Sequence, residues 1–588
     1  MRLTNVGHLR LPFGTLSGYD VTVSAPREEL PVSFDQRRHV GAGDRPGSWM
    51  ALSFRLPEAV PLDDLADAWL AVIARHGTLR SVFLPGDEGP RLRAVDVGPG
   101  SWIEHPIGPG QAVNEALRDV LDQYCSSYRA PSHRLCVLQT ATGPTVVIGA
   151  DHAHVDMWSM LVIARDFRRA LFAVDAGRSP ELPQARPFAE HTRSLSDRPA
   201  APDDVRRRWV EILDACGGVM PRFPLPLGQP ELQPERVEVR DVFGVDDAAA
   251  FAAQARGDGV STLTLAVSAM TAVTRELAGE PLRAVFPVHS RYDEAWHDSV
   301  GWFITNSVIE SGDPSPAACS AAVREAVRLG SWPLADVLGP WGGDMPEAPG
   351  MFAISWLDLR RLPVRIDARS VDAQYVGAVI ATDGVMLWFI LDDAGLHLRC
   401  RYPDTPEARL GVGGWLDALV ARMQANARSS VSGLLRVGSR TFRIERAQRS
   451  DVPAIVSLLA DDDVARDREI AEAIRYETAF DAVVRDDSHY LAVVRDDAGT
   501  VVATVQLSVL PGLSRGGATR LQIEGLRVAA AERDRGLGTA MLDWAHAHGR
   551  THGATLSQVT TDEVRERARR FYAHHGYTAQ HVGLKREL

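Results

Sequence analysis

The 588-residue sequence has little of several features that would define a class of protein at once. Its five cysteines are too scattered for a disulfide framework or a zinc-binding spacing. No apolar run reaches the ~18 residues of a membrane-spanning helix. The first residues also lack the apolar stretch and cleavage site of a secretory signal. We therefore expect a reducing, cytoplasmic environment and no membrane partner.

Lysine is nearly absent, since Lys585 is the only one and arginine supplies the rest of the positive charge. The 64 basic residues are outnumbered by 76 acidic ones, which gives a formal net charge of -12. A general nucleic-acid binder would carry an excess of basic residues clustered on its surface, so that class of protein is disfavoured. An aminoacyl-tRNA donor stays open. Hydrophobic residues make up 45% of the chain, the mix of a globular protein, so disorder throughout is excluded.

At roughly 150 residues per domain, the length corresponds to about four domains. Small polar residues, among them Ser429, Ser430 and Ser432, follow a helical pattern and precede a strand-like run at 441–444, which predicts a linker over 426–438. A proline-rich stretch at 221–234 predicts a second boundary. Three regions are therefore expected, at 1–220, 221–430 and 440–588. Alternating helical and strand patterns predict an α/β architecture.

A histidine cluster, Asp151-His152-Ala153-His154-Val155-Asp156, follows an apolar strand at 145–148. A loop at a strand end is a common place for binding groups, and histidine is suited to proton transfer near neutral pH. Asp156 could orient the imidazole of His152 directly, or brace the loop by pairing with an arginine. Three interpretations remain from these residues alone: a hydrogen-bonded surface loop, an acid–base site, or a metal site that still needs another ligand.

Three further segments accompany this cluster, and they are PVSFDQRR at 31–38, RHGTLRSVF at 75–83 and VGWFITN at 300–306. In this order, the four segments resemble the condensation-domain superfamily over about residues 20–430. That group includes peptide-synthetase condensation domains, chloramphenicol acetyltransferase-like enzymes and polyketide-associated acyltransferases. The resemblance implies two chloramphenicol-acetyltransferase-like lobes meeting at a tunnel, with donor and acceptor entering from opposite faces.

The resemblance also implies roles for residues of the large region. His152 would take a proton from an acceptor amine or hydroxyl as it attacks a thioester, with His154 as a neighbour. Asp156 would be structural, with Arg291 as its partner. Trp302, Thr305 and Asn306 would occupy substrate-contacting or structural positions.

The sequence departs from the family pattern at three places. Asp151 replaces the first histidine of H-H-x-x-x-D-G, and Met157 replaces the final glycine. Thr305-Asn306 reverses the usual N-T order, which puts an oxyanion contact there in doubt. The Asp-His start looks more like the polyketide-associated acyltransferases than like a chain-elongating module.

A glycine-bearing turn near the C-terminus, Arg533-Asp534-Arg535-Gly536-Leu537-Gly538-Thr539, follows a strand pattern at 521–528 and precedes a helical pattern at 540–548. Such a turn offers converging N–H groups to a phosphate. With the FYAHHGY segment at 571–577 and the strand and helix patterns at 442–455, it resembles the GCN5-related N-acetyltransferase (GNAT) family. The resemblance covers about residues 440–588 and implies a C-terminal GNAT α/β domain.

The GNAT resemblance implies a site for acetyl-CoA or another acyl-CoA. The backbone of six loop residues would hold the pyrophosphate: Arg533, Arg535, Gly536, Leu537, Gly538 and Thr539. Leu526 and Val528 would hydrogen-bond the pantetheine arm. Glu524 would act as general base and Tyr572 would protonate the leaving thiolate. The alternatives are that Glu524 is a solvated strand residue and that Tyr572 is an aromatic residue of the core.

No metal is expected in this region. His546 and His548 are two residues apart, and His574 and His575 are adjacent. At either spacing the side chains of a helix point in different directions.

The combined hypothesis is a bifunctional acyltransferase of specialised metabolism. The condensation-like part would form an amide or ester on a small-molecule acceptor, and the GNAT part would N-acylate an amine. One alternative makes only one part catalytic and the other a docking module. Another has the condensation-like part acting with acyl- or peptidyl-carrier proteins in trans.

Overall fold

The computed structural model describes residues 1–141, 143–368, 370–429, 433–461, 472–486, 488–580 and 586. The chain divides into two compact units. The larger unit comprises Met1–Val242 and Val260–Met423, and the smaller unit comprises Phe243–Gly259 and Gln424–Leu588. Within the described ranges, every helix is too short or too polar to cross a bilayer.

The helices, numbered in chain order, are α1 Phe34–Gly41, α2 Leu62–Arg75, α3 Val113–Tyr124, α4 Met157–Asp175, α5 Phe188–Ser196, α6 Asp203–Ala215, α7 Val245–Gly257, α8 Thr262–Ala278, α9 Pro316–Leu329, α10 Leu334–Val337, α11 Pro406–Ser429, α12 Val452–Ala460, α13 Ala473–Arg485, α14 Ser514–Gly517, α15 Leu537–Thr551 and α16 Glu566–His574.

The strands are β1 Arg2–Asn5, β2 Thr15–Val23, β3 Glu29–Leu30, β4 Trp49–Arg55, β5 Ser81–Leu84, β6 Arg91–Ala94, β7 Val97–His105, β8 His133–Gln139, β9 Thr145–Asp151, β10 Gln233–Phe243, β11 Leu282–His289, β12 Ile304–Ser311, β13 Phe352–Asp358, β14 Gln374–Gly377, β15 Ala381–Thr382, β16 Val385–Asp392, β17 Gly395–Pro403, β18 Gly433–Val437, β19 Arg440–Arg446, β20 His489–Arg495, β21 Val501–Leu510, β22 Arg520–Val528 and β23 Leu556–Val559.

The larger unit contains two seven-stranded sheets and a small three-stranded one, β3-β6-β5. The first large sheet has the order β1-β14-β4-β9-β8-β2-β7, and the second has the order β12-β11-β13-β16-β17-β10-β15. β14 comes from the second half of the sequence but lies between β1, to which it is parallel, and β4, to which it is antiparallel. The two halves of the larger unit therefore share a sheet.

β9 is the central support of the histidine cluster. Its apolar run is covered on both faces, because Val146 and Ile148 face the core formed with α2 and α4, whereas Val147 faces the core that includes Leu117 and Leu121 of α3. A strand buried on both faces reads as a continuous apolar run rather than an alternating one. Its end is consequently a rigid base for the loop that follows.

The smaller unit is built on a six-stranded sheet of order β18-β19-β20-β21-β22-β23, in which only the last pair is parallel. α15 covers one core of this sheet through Leu537, Met541 and Leu542. The other core is formed with α12 and α13.

Most of the predicted linker over 426–438 has regular structure. α11 continues to Ser429, because Met423 and Ala427 extend its buried face by one more turn. Gly433–Val437 forms the first strand of a hairpin with β19. Residues 430–432, which include Ser430 and Ser432, lie outside the described residues.

Candidate active sites

Asp151, the last residue of β9, is fully buried and anchors the loop after it. Its carboxylate accepts hydrogen bonds from Ser48 Oγ at 2.6 Å, Ser127 Oγ at 3.0 Å and the Ala153 backbone N–H at 2.9 Å. His39 Nε2 lies 3.5 Å from Oδ1, the oxygen that also accepts from Ala153. Burial raises the pKa of Asp151, but its hydrogen bonds and the neighbouring imidazoles outweigh this effect and lower the pKa below its usual value. The buried carboxylate is therefore a fixed anion.

His152 is the first residue of the loop and is held at both its backbone and its ring. Its backbone N–H donates to the Ser48 carbonyl at 2.9 Å, and its Nδ1 lies 2.9 Å from the Val155 carbonyl. Since a carbonyl only accepts, Nδ1 carries the hydrogen of the neutral ring and Nε2 keeps its lone pair. Burial lowers the pKa of His152, so the ring is neutral near pH 7.

An aromatic group covers one face of this imidazole. The indole of Trp302 stacks on His152 with ring centroids 4.2 Å apart and planes 25° apart. His39, on α1, forms a T-shaped contact with the indole, with ring centroids 5.1 Å apart, and its centroid lies 6.0 Å from that of His152. Among the described residues, the buried Nε1–H of Trp302 has no hydrogen-bond acceptor.

Asp156 pairs with Arg291 and does not contact the imidazole of His152. It is the N-cap of α4, where Oδ1 accepts from the Ser159 N–H at 2.6 Å, while Oδ2 accepts from the Phe303 N–H at 3.1 Å. Arg291 Nη2 lies 3.3 Å from Oδ1, and both side chains are almost completely buried. Of the two roles open at the sequence level, the structure has the one in which Asp156 braces the loop.

His154, Thr305 and Asn306 have packing or structural surroundings. His154 is buried with its ring edge-on to Phe83 at 5.3 Å. Thr305 on β12 hydrogen-bonds the buried Asp35, and Asn306 Nδ2 lies 3.8 Å from Met345 Sδ.

Two residues near this site were missed in the sequence. His39 follows directly after the PVSFDQRR segment, and Asp35 lies within it. α1 begins within this segment, and the Gln36 side chain donates to the Ala153 carbonyl at 2.8 Å and so attaches the helix to the histidine loop. Burial raises the pKa of Asp35 to about 6. The sequence contained a sign of both residues, because they lie within or next to a motif that was already associated with the histidine cluster.

In the smaller unit, where the pantetheine contact is predicted, β22 has no pairing with β23 and carries a bulge against β21. β23 pairs with β22 only over Arg520–Ile523. On the other side, the register shifts between Thr504 and Gln506 of β21, and Gly525 has φ +58°. This bulge and the early end of β23 leave the edge over residues 524–528 open on one side.

Backbone carbonyls on this edge already accept hydrogen bonds from arginines. The Leu526 carbonyl accepts from Arg527 Nη1 at 3.0 Å, and the Val528 carbonyl accepts from Arg533 Nε at 2.9 Å. Arg533 also binds Asp461 Oδ2 at 2.8 Å. Arg533 therefore links the glycine turn to Val528 and Asp461.

The glycine turn forms the start of α15 as the sequence indicates. Gly536 is the N-cap with φ +91°, and no side chain caps this helix end. The N–H groups of Leu537, Gly538 and Thr539 are thus left without the usual partner, which is the arrangement that binds anions. Arg535 is exposed and adds positive charge beside the turn. Its nearest acidic partner, Glu532, lies 4.0 Å away.

The two predicted catalytic side chains of the smaller unit have different surroundings. Glu524 is exposed on β22. Tyr572 on α16 is half-buried beside Phe571 and Tyr577, with ring centroids 5.2 and 5.5 Å away. Burial raises the pKa of Tyr572, which keeps its hydroxyl protonated at neutral and moderately alkaline pH.

The histidines of the two pairs considered in the sequence have separate surroundings. His546 Nε2 lies 2.7 Å from the Tyr577 hydroxyl, and His574 is exposed. His548 instead faces His552 and Asp246.

Comparison with known proteins identifies both parts of the chain. The condensation-domain family model matches residues 28–321, which is half of the chain. The chain belongs to the condensation-domain family. The acetyltransferase (GNAT) family model matches residues 453–577 of this condensation-family chain, so a GNAT domain follows the condensation region. GNAT domains use acyl-CoA.

The relatives of this condensation-family protein include acyltransferases and peptide synthetases. Acyltransferase PapA3 of Mycobacterium tuberculosis is 24% identical over 433 residues, covering 69% of this chain and 91% of PapA3. A nonribosomal peptide synthetase of Salinispora arenicola, CymA, is 28% identical over 322 residues, or 51% of this chain and 4% of that protein. The protein is therefore an acyltransferase of the condensation type.

Solved structures agree with this fold. The PapA2 acyl transferase superposes with a TM-score of 0.65 at 19% identity, covering 73% of this chain and all of PapA2. The first condensation domain of the calcium-dependent antibiotic synthetase gives a TM-score of 0.54 at 14% identity, covering 69% and 98%. The larger unit thus consists of two chloramphenicol-acetyltransferase-like lobes, as expected, and a GNAT domain follows.

Proposed function

We propose that the protein is a bifunctional acyltransferase of specialised metabolism. The larger unit forms an amide or ester on a small-molecule acceptor, with His152 as general base, and the GNAT domain transfers an acyl group to an amine. The observation that carries the proposal is the orientation of His152. Its Nδ1–H is fixed on the Val155 carbonyl, and this leaves the Nε2 lone pair as the basic atom.

In the condensation-type step, the acceptor's N–H or O–H gives its proton to His152 Nε2 as the nucleophile attacks the thioester carbonyl. A C–N or C–O bond forms, the C–S bond breaks, and the proton passes to the departing thiolate. General-base help of this kind contributes about 10²–10⁴-fold. The unpartnered N–H of Trp302 is available to donate to an oxygen of a bound substrate.

The donor of this step is proposed to be carrier-bound. The likeness to peptide synthetases such as CymA supports a thioester held on an acyl- or peptidyl-carrier protein supplied in trans. A soluble acyl-CoA is the other source of the same thioester chemistry, and the two are distinguished by offering each donor separately.

In the GNAT domain, the residues fit an anionic acyl-CoA. This group, when bound, supplies an acyl carbon activated as a thioester. The uncapped N–H groups of Leu537, Gly538 and Thr539 hold its pyrophosphate, and Arg535 adds charge. Glu524 accepts a proton from the attacking amine, either directly or through water. Tyr572 holds the proton that the leaving thiolate takes up.

One observation favours a second candidate, in which the GNAT domain only docks a ligand. The Leu526 and Val528 carbonyls already accept hydrogen bonds from arginines, so a pantetheine arm shares these acceptors with the arginine side chains.

The test separates the two activities on the full chain. Products formed from a panel of carrier-bound and CoA-bound acyl donors are compared by mass spectrometry for the wild type, His152→Ala and Glu524→Gln. We expect His152→Ala to lose one product class at least ~100-fold while keeping the other, and Glu524→Gln to show the reverse. If His152→Ala leaves every product unchanged, the larger unit is not catalytic through this residue. If Glu524→Gln and Tyr572→Phe both leave every product unchanged, the docking candidate is favoured.

A further inference from the structure

Three metal-ligating side chains converge in the smaller unit, at the C-terminal end of α15. His548 lies in the last turn of this helix and His552, four residues further on, is its C-cap, so both imidazoles lie on the same side. Asp246 lies on α7, which belongs to the same unit. Its Oδ1 is 3.4 Å from His548 Nδ1 and 3.2 Å from His552 Nε2. All three candidate ligand atoms lie within 4.8 Å of one another.

The two separations from Asp246 Oδ1 match those between neighbouring ligands of a tetrahedral zinc site. Zinc bonds of about 2.0–2.1 Å at tetrahedral angles place neighbouring ligand atoms about 3.3–3.5 Å apart. Both distances from Asp246 Oδ1 lie close to this range. Two histidines and one carboxylate also form a ligand set that zinc accepts, with a water completing the shell.

The orientation of His552 is set by a hydrogen bond outside the ligand cluster. Its Nδ1 lies 2.8 Å from the His548 backbone carbonyl, which can only accept, so Nδ1 carries the hydrogen of the neutral ring. The Nε2 lone pair then points at Asp246 Oδ1. Two acceptors at this distance need either a proton or a metal ion between them. A bond from the second ring nitrogen to a carbonyl is also the usual way of orienting a metal-ligating histidine.

The three ligand side chains are largely removed from solvent. The side chains of Asp246, His548 and His552 are only 18%, 8% and 15% exposed. The nearest cation, Arg446, lies 3.7 Å from Oδ2 of Asp246. Both histidine contacts are with the other carboxylate oxygen, Oδ1. The two rings stack at 4.2 Å, and because an imidazole binds a metal in the plane of its ring, they have to turn out of this stack when the ion binds.

We propose that Asp246, His548 and His552 bind one Zn²⁺ ion. The ion joins α7 to α15 within the smaller unit, and its role is to hold together two helices that lie far apart in the sequence. This inference is independent of the acyl-transfer chemistry.

The experiment uses the full chain with any purification tag removed and metal stripped by a chelator. Isothermal titration with ZnCl₂ should give about one zinc per chain. Co²⁺ added to the stripped wild type should give the visible absorption of a tetrahedral site. His552→Gln and Asp246→Asn should each weaken zinc binding by at least ~10-fold. His574→Gln, which changes an exposed histidine of the same unit, should bind zinc as the wild type does.

Asp246→Asn guards against misfolding, because it keeps the shape of the side chain, and circular dichroism checks each variant. The proposal is overturned if the stripped wild type binds no zinc, since a proton then links His552 and Asp246. It is also overturned if the folded variants bind zinc as tightly as the wild type, or if His574→Gln weakens binding as much as they do.

Discussion

The imidazole of His152 and the indole of Trp302 lie 4.2 Å apart and nearly parallel. The indole therefore removes water from one face of the ring that is proposed to accept a proton. Because desolvation disfavours the imidazolium form, this contact helps to keep the pKa of His152 below its ordinary value.

Replacing Trp302 by alanine should change the pH dependence of the condensation-type reaction. Without the indole, the ring is more hydrated and its pKa rises toward the ordinary value. A general base works when unprotonated, so the acid limb of kcat/KM against pH should move to higher pH. Trp302→Phe keeps an aromatic cover and should move it less. A profile of Trp302→Ala that coincides with that of the wild type would contradict this explanation.

The buried pair of Asp156 and Arg291 should matter for stability. Asp156→Ala leaves the guanidinium buried without its counter-charge, which costs about 3–5 kcal/mol. Urea unfolding of the larger unit should show this loss. The matched control is Arg2→Ala, which breaks an exposed pair with Asp241 and should cost about 0–1 kcal/mol. If the two variants lose similar amounts of unfolding free energy, the buried pair contributes no more to stability than the exposed one.

Gly536 should be needed for acyl-CoA binding. Its φ of +91° is costly for alanine by roughly 1–2 kcal/mol, and an added Cβ would lie 3.3 Å from Val437 Cγ1. We expect Gly536→Ala to weaken acetyl-CoA binding roughly tenfold, measured as a smaller thermal shift at fixed ligand. Gly553→Ala is the control, because φ there is +79° with open space around it. Equal thermal shifts in Gly536→Ala and the wild type would refute the loop's role.

Tyr572→Phe should slow the GNAT reaction by about 10²-fold, because the leaving thiolate loses its proton donor. Release of free thiol from acyl-CoA measures this rate. Tyr577→Phe removes a neighbouring hydroxyl that lies near His546 and Ser557 and should have a much smaller effect. If both variants lose the same activity, Tyr572 acts through packing.

Local features of the two sites could be predicted from the sequence, and long-range ones mostly could not. The loop after β9 and the turn before α15 follow from apolar runs and glycines close in the chain. The position of Arg291 beside Asp156 was inferred only through family resemblance. The stacking of Trp302 and the approach of His39 depend on packing between distant segments, which periodicity does not encode. His548 and His552 have a visible four-residue spacing, but Asp246 comes from a helix about 300 residues earlier.

The position of β14 has a consequence for how the protein is made. β1 and β4 emerge early from the ribosome, yet the strand that joins them is translated only at residues 374–377. Until then, the nascent chain carries two unpaired strand edges and an incomplete first sheet. A fragment ending near residue 220 should therefore aggregate when expressed alone. Co-expression with the missing segment should rescue its solubility.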